Sequence, residues 1–233
     1  MANRRAKDIK PIQETADIWK LLTAEQARFL QDNIEVIVAK KNERVYSEKD
    51  IPSHLFSMVS GKVKVYKAGV GGRNQIVRVI KPNEVFGYRA MFAHEEYVTS
   101  ATAIEPCVIY AIPEEVIVSL IKLNPELAFA FIQFLSVDLG ISDARTVTLT
   151  QKHIRGRLAE SLLFLKDNYG LESDGATISI YLSREDLASL SNMTTSNAIR
   201  TLSLFANEGV IEIDGRKIKI LDEDTLFKTS KFG

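Results

Sequence analysis

The segment SREDLASLSNMTTSNAIRTLSLFANEGVI, residues 183–211, holds the side chains whose types and spacing point most directly to chemistry. An arginine on a short, weakly charged helix can set two N–H donors against O6 and N7 of a guanine, and Arg200 suits that role. Ile199, its neighbour, is of the type that touches a thymine methyl. Thr194 and Thr195 sit where a helix would begin, at its positive end, which favours a phosphate. Ser196 follows among the leading side chains that would meet base edges. Beyond them, Arg216 and Lys217 follow Asp214-Gly215, a strong two-residue hairpin signal, and would add basic contacts from a wing.

Those side chains need a frame. Ser183 is a natural N-cap with Asp186 three residues on, so a first helix starts there, with Leu187 and Leu190 inward and Ala188 small enough for a crossing helix. Asn192 falls where a sharp turn needs the left-handed conformation. Thr194 caps a second helix, in which Ala198, Leu202 and Phe205 form one apolar face. Ser196, Arg200, Ser203 and Asn207 lie away from it. Helix, tight turn, helix and hairpin together describe a winged helix-turn-helix, although two packed helices that touch no nucleic acid satisfy the same apolar pattern.

Upstream the texture differs. Residues 1–12 carry Arg4, Arg5, Lys7 and Lys10 without helical or strand period and read as a mobile arm. Helical segments follow at Ala16–Leu22 and after Thr23, whose capping partner is Gln26. From Ile34 to about Ile112 come short β-rich runs split by turn residues: IEVIVAK, HLFSMVSG, KVKVYKAG, NQIVRVIK, EVFGY, YVTSATAIE and CVIYAIP. Such spacing argues for an antiparallel sandwich or barrel. Gly69, Gly71 and Gly72 read as a hairpin loop between two of these runs. At Pro113 the period becomes helical, breaks at Asn124-Pro125, and resumes to about Leu149. There Ala128, Ile132, Leu135, Leu139, Ser142, Thr146 and Leu149 follow a heptad seam, fitting either a helix packed on its own domain or a dimer coiled coil. After it come a helix with Ile154, Leu158, Leu162 and Leu165 and an expected strand, TISIYL. The fold class is α+β, in three parts: residues 1–124, a β-roll domain with flanking helices; 125–150, a long helix; and 151–233, the winged helix-turn-helix.

Composition bounds the function. Thirty Lys and Arg balance thirty Asp and Glu. That balance counts against an indiscriminate nucleic-acid binder but not against a sequence-specific one with a local basic patch. Acidic Asp214, Asp222, Glu223 and Asp224 offset the basic residues nearby, so salt-dependent attraction should be modest. No run is expected to span a bilayer, and no apolar stretch follows the basic N-terminus, so a cytoplasmic protein without a membrane partner is expected. The single Cys107 allows no internal disulfide or cysteine-only metal cluster and reads as a core residue. The glycines at 69–72 lack the lysine and helix of a phosphate loop, no HExxH or GxSxG occurs, and three scattered histidines make no triad. No catalytic residues are assigned, and an enzyme is not expected.

VSGKVKVY, NPELAF, IRGRLAESLLFL and LSREDLASLSNMTTSNAIRTLSLFANEGVI, in this order, resemble the motifs of the Crp/Fnr family of transcription regulators. The resemblance runs from about Leu21 to Leu221. It implies a jelly-roll domain like those that bind cyclic nucleotides, a long dimerisation helix and a winged helix-turn-helix. It also implies a homodimer on a pseudo-palindromic operator, so that double-stranded DNA, a second copy of the chain and RNA polymerase are the partners, with an effector biasing the dimer. Carried over by position, Arg200 matches the family's base-reading arginine, and Thr194, Thr195 and Ser196 its cap and leading contacts. The glutamate often found at the position of Ser196 is absent, which leaves the half-site open.

The effector region departs further. Family members that bind cyclic AMP carry a glycine–glutamate pair and, downstream, arginine–serine. Here Tyr88 follows Gly87, and Tyr97 and Val98 replace the second pair, so a cyclic phosphate would be buried without its partner, which is costly. A pocket for another ligand would draw on Gly87, Tyr88, Arg89, Tyr97, Thr99, Ser142 and Asp143. The family's iron–sulfur sensor needs four cysteines. Haem stays open through His54, His94, His153, Met58 or Met91, and the sequence names no effector. The competing reading is an effector-binding module whose C-terminal domain binds protein.

Overall fold

The computed structural model describes residues 10–69 and 72–232. It divides into two compact units: one holds the residues up to Ala68 with Ile76–Leu139, the other Gly69–Gln75 with the residues from Gly140 onward. Most of the N-terminal arm lies outside the described residues. Ile12, which the sequence reading placed in that arm, is instead packed, 1% exposed, with its N–H donated to Gln31 Oε1 at 2.7 Å.

The first unit opens with 3-10 turns at Ile12–Glu14 and Asp17–Leu21, then helix α1 (Ala24–Asp32). The expected capping box starts α1: Gln26 N–H donates to Thr23 Oγ1, and Thr23 N–H to Gln26 Oε1. Eight strands follow: β1 (Glu35–Ala39), β2 (Arg44–Tyr46), β3 (His54–Ser60), β4 (Val63–Ala68), β5 (Asn74–Ile80), β6 (Val85–Phe86), β7 (Ser100–Ala103) and β8 (Cys107–Pro113). They form two four-stranded sheets, in the orders β1-β8-β3-β6 and β2-β7-β4-β5. Alternation decides the faces: Val63 and Val65 are buried while Lys64 between them is half-buried. Trp19, Leu55, Tyr110 and Ile112 anchor one core cluster, and Phe56, Met58, Ile80 and Ile109 another. Cys107 lies in the second, 2% exposed.

In the first unit, β2 and helix α2 (Tyr88–Ala93) escape the sequence reading. β2 is three residues long and too short to show alternation. The run EVFGY ends as a strand at Phe86, and α2 follows. Gly87 makes the junction at φ 86°, where a Cβ would lie 2.9 Å from the Phe56 ring, so only glycine fits.

After β8 come α3 (Glu114–Leu123) and α4 (Pro125–Gln151). Asn124 separates them; its Oδ1 accepts from Leu127 N–H, and Pro125 takes the first helical position. By length and composition alone α4 is long and apolar enough to cross a membrane, with an 18-residue stretch of mean hydropathy 1.4, although charged and polar residues interrupt every apolar run in it. The heptad seam is only partly on the surface. Ile132 and Leu139 are exposed, but Leu135 packs against the first unit's core, and Phe129, Val137, Ile141 and Val147 join the exposed apolar set.

The second unit contains α5 (Ile154–Tyr169), α6 (Arg184–Leu190), α7 (Thr195–Asn207), the hairpin β9 (Ile211–Asp214) and β10 (Lys217–Ile220), and α8 (Glu223–Phe232). TISIYL forms no strand. It meets β10 through Ile178 N–H to Ile218 O and an isolated bridge at Thr177, beside the bond from Ile220 N–H to the preceding Ala176 O, before turning into α6, too few contacts for a ladder. Helix α8, unanticipated, buries Leu226 completely and packs on α5.

Candidate nucleic-acid interface

The interface is built on α5. Leu158, Leu162 and Leu165, one turn apart, are at most 1% exposed and form the floor on which α6 and α7 rest. Ser183 Oγ accepts from Asp186 N–H at 3.0 Å and starts α6 as its sequence predicts. Leu187, Ala188 and Leu190 are buried, and Ala198, 0% exposed on α7, keeps the contact between the two helices close.

The turn between them is fixed from outside. Asn192 takes the left-handed conformation, φ 51°, as its type and place predict. A helix C-terminus leaves carbonyls unpaired, and here guanidinium groups take them up. Arg157 donates from Nε to Ser191 O at 3.0 Å, from Nη2 to Asn192 O at 3.0 Å and from Nη1 to Lys152 O at 3.1 Å. Arg145 Nη2 donates to Leu190 O at 2.9 Å. Buried Ser191 and Ser161 are joined through their hydroxyls at 2.9 Å. Sequence reading missed both arginines, because their partners are backbone carbonyls distant in the chain.

α7 is presented by this frame. Thr194 Oγ1 accepts from Asn197 N–H, capping the helix. Ala198, Leu202 and Phe205 are at most 1% exposed, whereas Thr194, Thr195, Ser196, Ile199, Arg200, Ser203 and Asn207 are exposed. Thirteen residues make a rod about 20 Å long, with no acidic residue within it. Glu208, just past its end, is held by both Arg155 Nη groups, which keep the carboxyl below its ordinary pKa. Its charge is thereby offset before it can repel a phosphate.

The hairpin pairs Lys217 with Asp214 and Ile218 with Ile213, and turns through Gly215 at φ 56°. Arg216 and Lys217 are exposed at the tip, and the Lys217 ammonium lies 5.8 Å from the Tyr181 ring centre. Arg184, at the start of α6, ties the tip to the motif by donating from Nη2 to Gly215 O at 2.7 Å. A basic residue directly after an N-cap was the signal available for it.

Of the seven residues expected to line an effector pocket, Arg89, Tyr97 and Thr99 gather about Tyr46 in the first unit. Ser142 and Asp143 belong to the second unit and are exposed on α4. In the first unit Tyr88 is 2% exposed, its ring against Phe131 and Phe134. Tyr97 is 5% exposed and stacks on Tyr46 with ring centres 3.8 Å apart. Both tyrosines are therefore packed side chains, not a free lining, because their aromatic area is worth more in the core than around a polar ligand. Arg89 is exposed and pairs with Glu95 at 3.3 Å, while half-buried Thr99 bonds the Tyr46 hydroxyl. A surface cleft of about 350 Å³, lined by Met91, His94, Glu95 and Glu114 among others, includes none of the seven. Of the haem candidates, Met58 and Met91 lie in different core clusters of the first unit and His94 is exposed, while His153 belongs to the second unit. Among the described residues no three His, Cys, Asp or Glu side chains form a metal site.

A β-sandwich unit, a long helix and a winged helix-turn-helix with an outward-facing second helix define a class: DNA-binding transcription regulators with an N-terminal β-roll. Comparison with known proteins agrees. Residues 36–124 match the cyclic nucleotide-binding domain and residues 156–228 the Crp-like helix-turn-helix domain. The chain is 24% identical, over 203 residues, to the CRP-like cAMP-activated global transcriptional regulator of Mycobacterium tuberculosis, covering 87% of this chain and 91% of that protein. It is 26% identical over 177 residues to the anaerobic regulatory protein of Bacillus subtilis, covering 75% and 74%. In fold it is similar to FixK2 from Bradyrhizobium japonicum, with a TM-score of 0.76 over 84% of this chain and 96% of that one at 21% identity. The chain belongs to the Crp/Fnr family of transcription regulators. The residues present do not fit a cyclic nucleotide. Where its glutamate contact belongs, Tyr88 is buried and its hydroxyl is already bonded to Arg78 and Asp138.

Proposed function

We propose that this regulator acts as a homodimer in the cytoplasm, reading a pseudo-palindromic DNA site with one α7 in each major groove. The observation that carries the reading is the capped, acid-free outer face of α7, with Arg200 and Ile199 free to meet base edges. Thr194, Thr195 and Ser196 approach phosphate and the leading bases, and Lys217 contacts the flanking backbone. Exposed Phe129, Ile132, Val137, Leu139, Ile141 and Val147 on α4 support the dimer. Covered by a second copy, they would bury about 1,200 Å² in total, the lower range of specific interfaces. Two half-sites would then lie about 34 Å apart. Contact with RNA polymerase would follow once the dimer is seated.

Selection of bound fragments from a random duplex library at low salt tests this reading, with sedimentation of the resulting complex. An enriched inverted repeat holding two chains is the expected result. A monomer on DNA, or no enriched repeat, would overturn it and favour a protein-binding role for the second unit.

A further inference from the structure

Inside the first unit, three polar groups close on one another. Arg78 on β5 donates from Nη1 to Asp138 Oδ2 on α4 at 2.5 Å. The Tyr88 hydroxyl donates to the same oxygen at 2.6 Å, and Arg78 Nη1 also reaches Tyr88 Oη at 3.2 Å. Each member of the triangle satisfies the other two. A guanidinium withdrawn into a β-roll needs an anion beside it. In this chain the anion comes from the long helix.

We propose that Asp138 is a built-in counter-anion for Arg78, so that the β-roll fastens α4 through the chain's own carboxylate instead of a bound cyclic nucleotide. The inference deepens the DNA-binding function by naming its regulation, and it rests on that reading only for its DNA readout. Geometry on α4 supports it. Phe131, Phe134 and Asp138 share one helical face, and Tyr88 touches all three, two by its ring and one by its hydroxyl. The polar bond and the aromatic packing therefore hold the same stretch of helix. A phosphate drawn to Arg78 would have to displace a tethered carboxylate and then lie beside it, like charge against like. Burial works against the Arg78 charge, yet Tyr88, Asp138 and Glu84 together hold its pKa above the ordinary value. The side chains of Arg78 and Asp138 are 39% and 27% exposed, which places the pair between a surface bridge and a buried one.

The test uses the full chain purified free of nucleotide, as wild type, Asp138→Asn, Arg78→Met, and the doubly neutral Arg78→Met/Asp138→Leu. Hydrogen exchange is followed at the amides of residues 131–139, and affinity is measured for the selected repeat with and without 3′,5′-cyclic AMP. The wild type should bind DNA without nucleotide, and cyclic AMP should leave its Kd within about twofold. Asp138→Asn and Arg78→Met should each speed exchange and raise Kd about tenfold, equivalent to about 1.4 kcal/mol. The double variant, which leaves no charge unpaired, should recover part of the exchange protection and so separates loss of the bridge from general misfolding. Tightening of wild-type binding tenfold by cyclic AMP would overturn the proposal, as would wild-type exchange in Asp138→Asn. A wild type that binds no repeat would refute the DNA reading, while the exchange comparison still decides the bridge.

Discussion

Arg157 is the side chain on which the geometry of the reading motif most depends, and its replacement by methionine has a calculable effect. Methionine keeps most of the aliphatic volume but removes the donors to Ser191 O, Asn192 O and Lys152 O. Hydrogen bonds from a charged group contribute about 1.5–3 kcal/mol each when buried. Arg157 is half-buried and water can reach part of the vacated turn, so the three together should be worth about 2–3 kcal/mol. With a urea dependence of roughly 1.5 kcal/mol per molar for a unit of this size, the second unit's midpoint should fall by about 1–2 M. The two units can be followed apart. The only tryptophan, Trp19, lies fully buried in the first unit and reports that unit, while far-UV circular dichroism sees the helices of both. Arg157→Met should shift the dichroism transition and leave the Trp19 transition in place. Arg157→Lys, which keeps the charge but cannot reach three carbonyls at once, should fall between. A shift below about 0.3 M, or an equal shift of the Trp19 signal, would refute the assignment of this arginine as the clamp of the turn.

Arg200→Ala should relax discrimination at one base pair per half-site by about 1–3 kcal/mol without changing stability, which competition binding with single-base variants of the selected site measures. Lys217→Ala should weaken all sequences alike and lower the salt dependence by about one counterion per half-site, read from affinity against salt concentration. Leu139→Glu, at a position 64% exposed, should leave the thermal midpoint of the chain little changed but shift it to monomer in sedimentation equilibrium. Asp174 is held at a pKa of about 2 by the backbone N–H and hydroxyl of Thr177, with the Ala176 N–H adding to them. Since its folded pKa lies below the unfolded value of about 3.9, its contribution is present above pH 4 and lost as pH falls toward 2. Denaturant titrations of wild type and Asp174→Ala should therefore differ above pH 4 and converge near pH 2.

Local signals carried much of this architecture. The Thr23–Gln26 capping box, the Ser183 and Thr194 caps, the left-handed Asn192 and the Asp214-Gly215 turn each depend on residues within three or four positions, and each occurs where its pattern places it. The exposed and buried faces of α7 follow from the helical period in the same way. TISIYL shows where such reasoning fails. Its alternation suits a strand, but a strand needs a partner along its length, and β10 supplies only a few bonds. The Ala128–Leu149 seam was half legible: period marked the stripe, yet which of its members meet the core depends on what packs beside the helix, and Leu135 turned inward.

What the amino-acid order determined by itself is most of the elements and the outward chemistry of α7, because caps, turns and periodicity act between near neighbours. What only the tertiary structure decided is who satisfies the charged and polar groups left over. Arg157 finds Ser191 across 34 positions, Arg184 finds Gly215 across 31, and Arg78 finds Asp138 across 60. No sequence period encodes such pairings; they arise when packing removes water from a guanidinium and a carbonyl or carboxylate is the nearest group able to replace it.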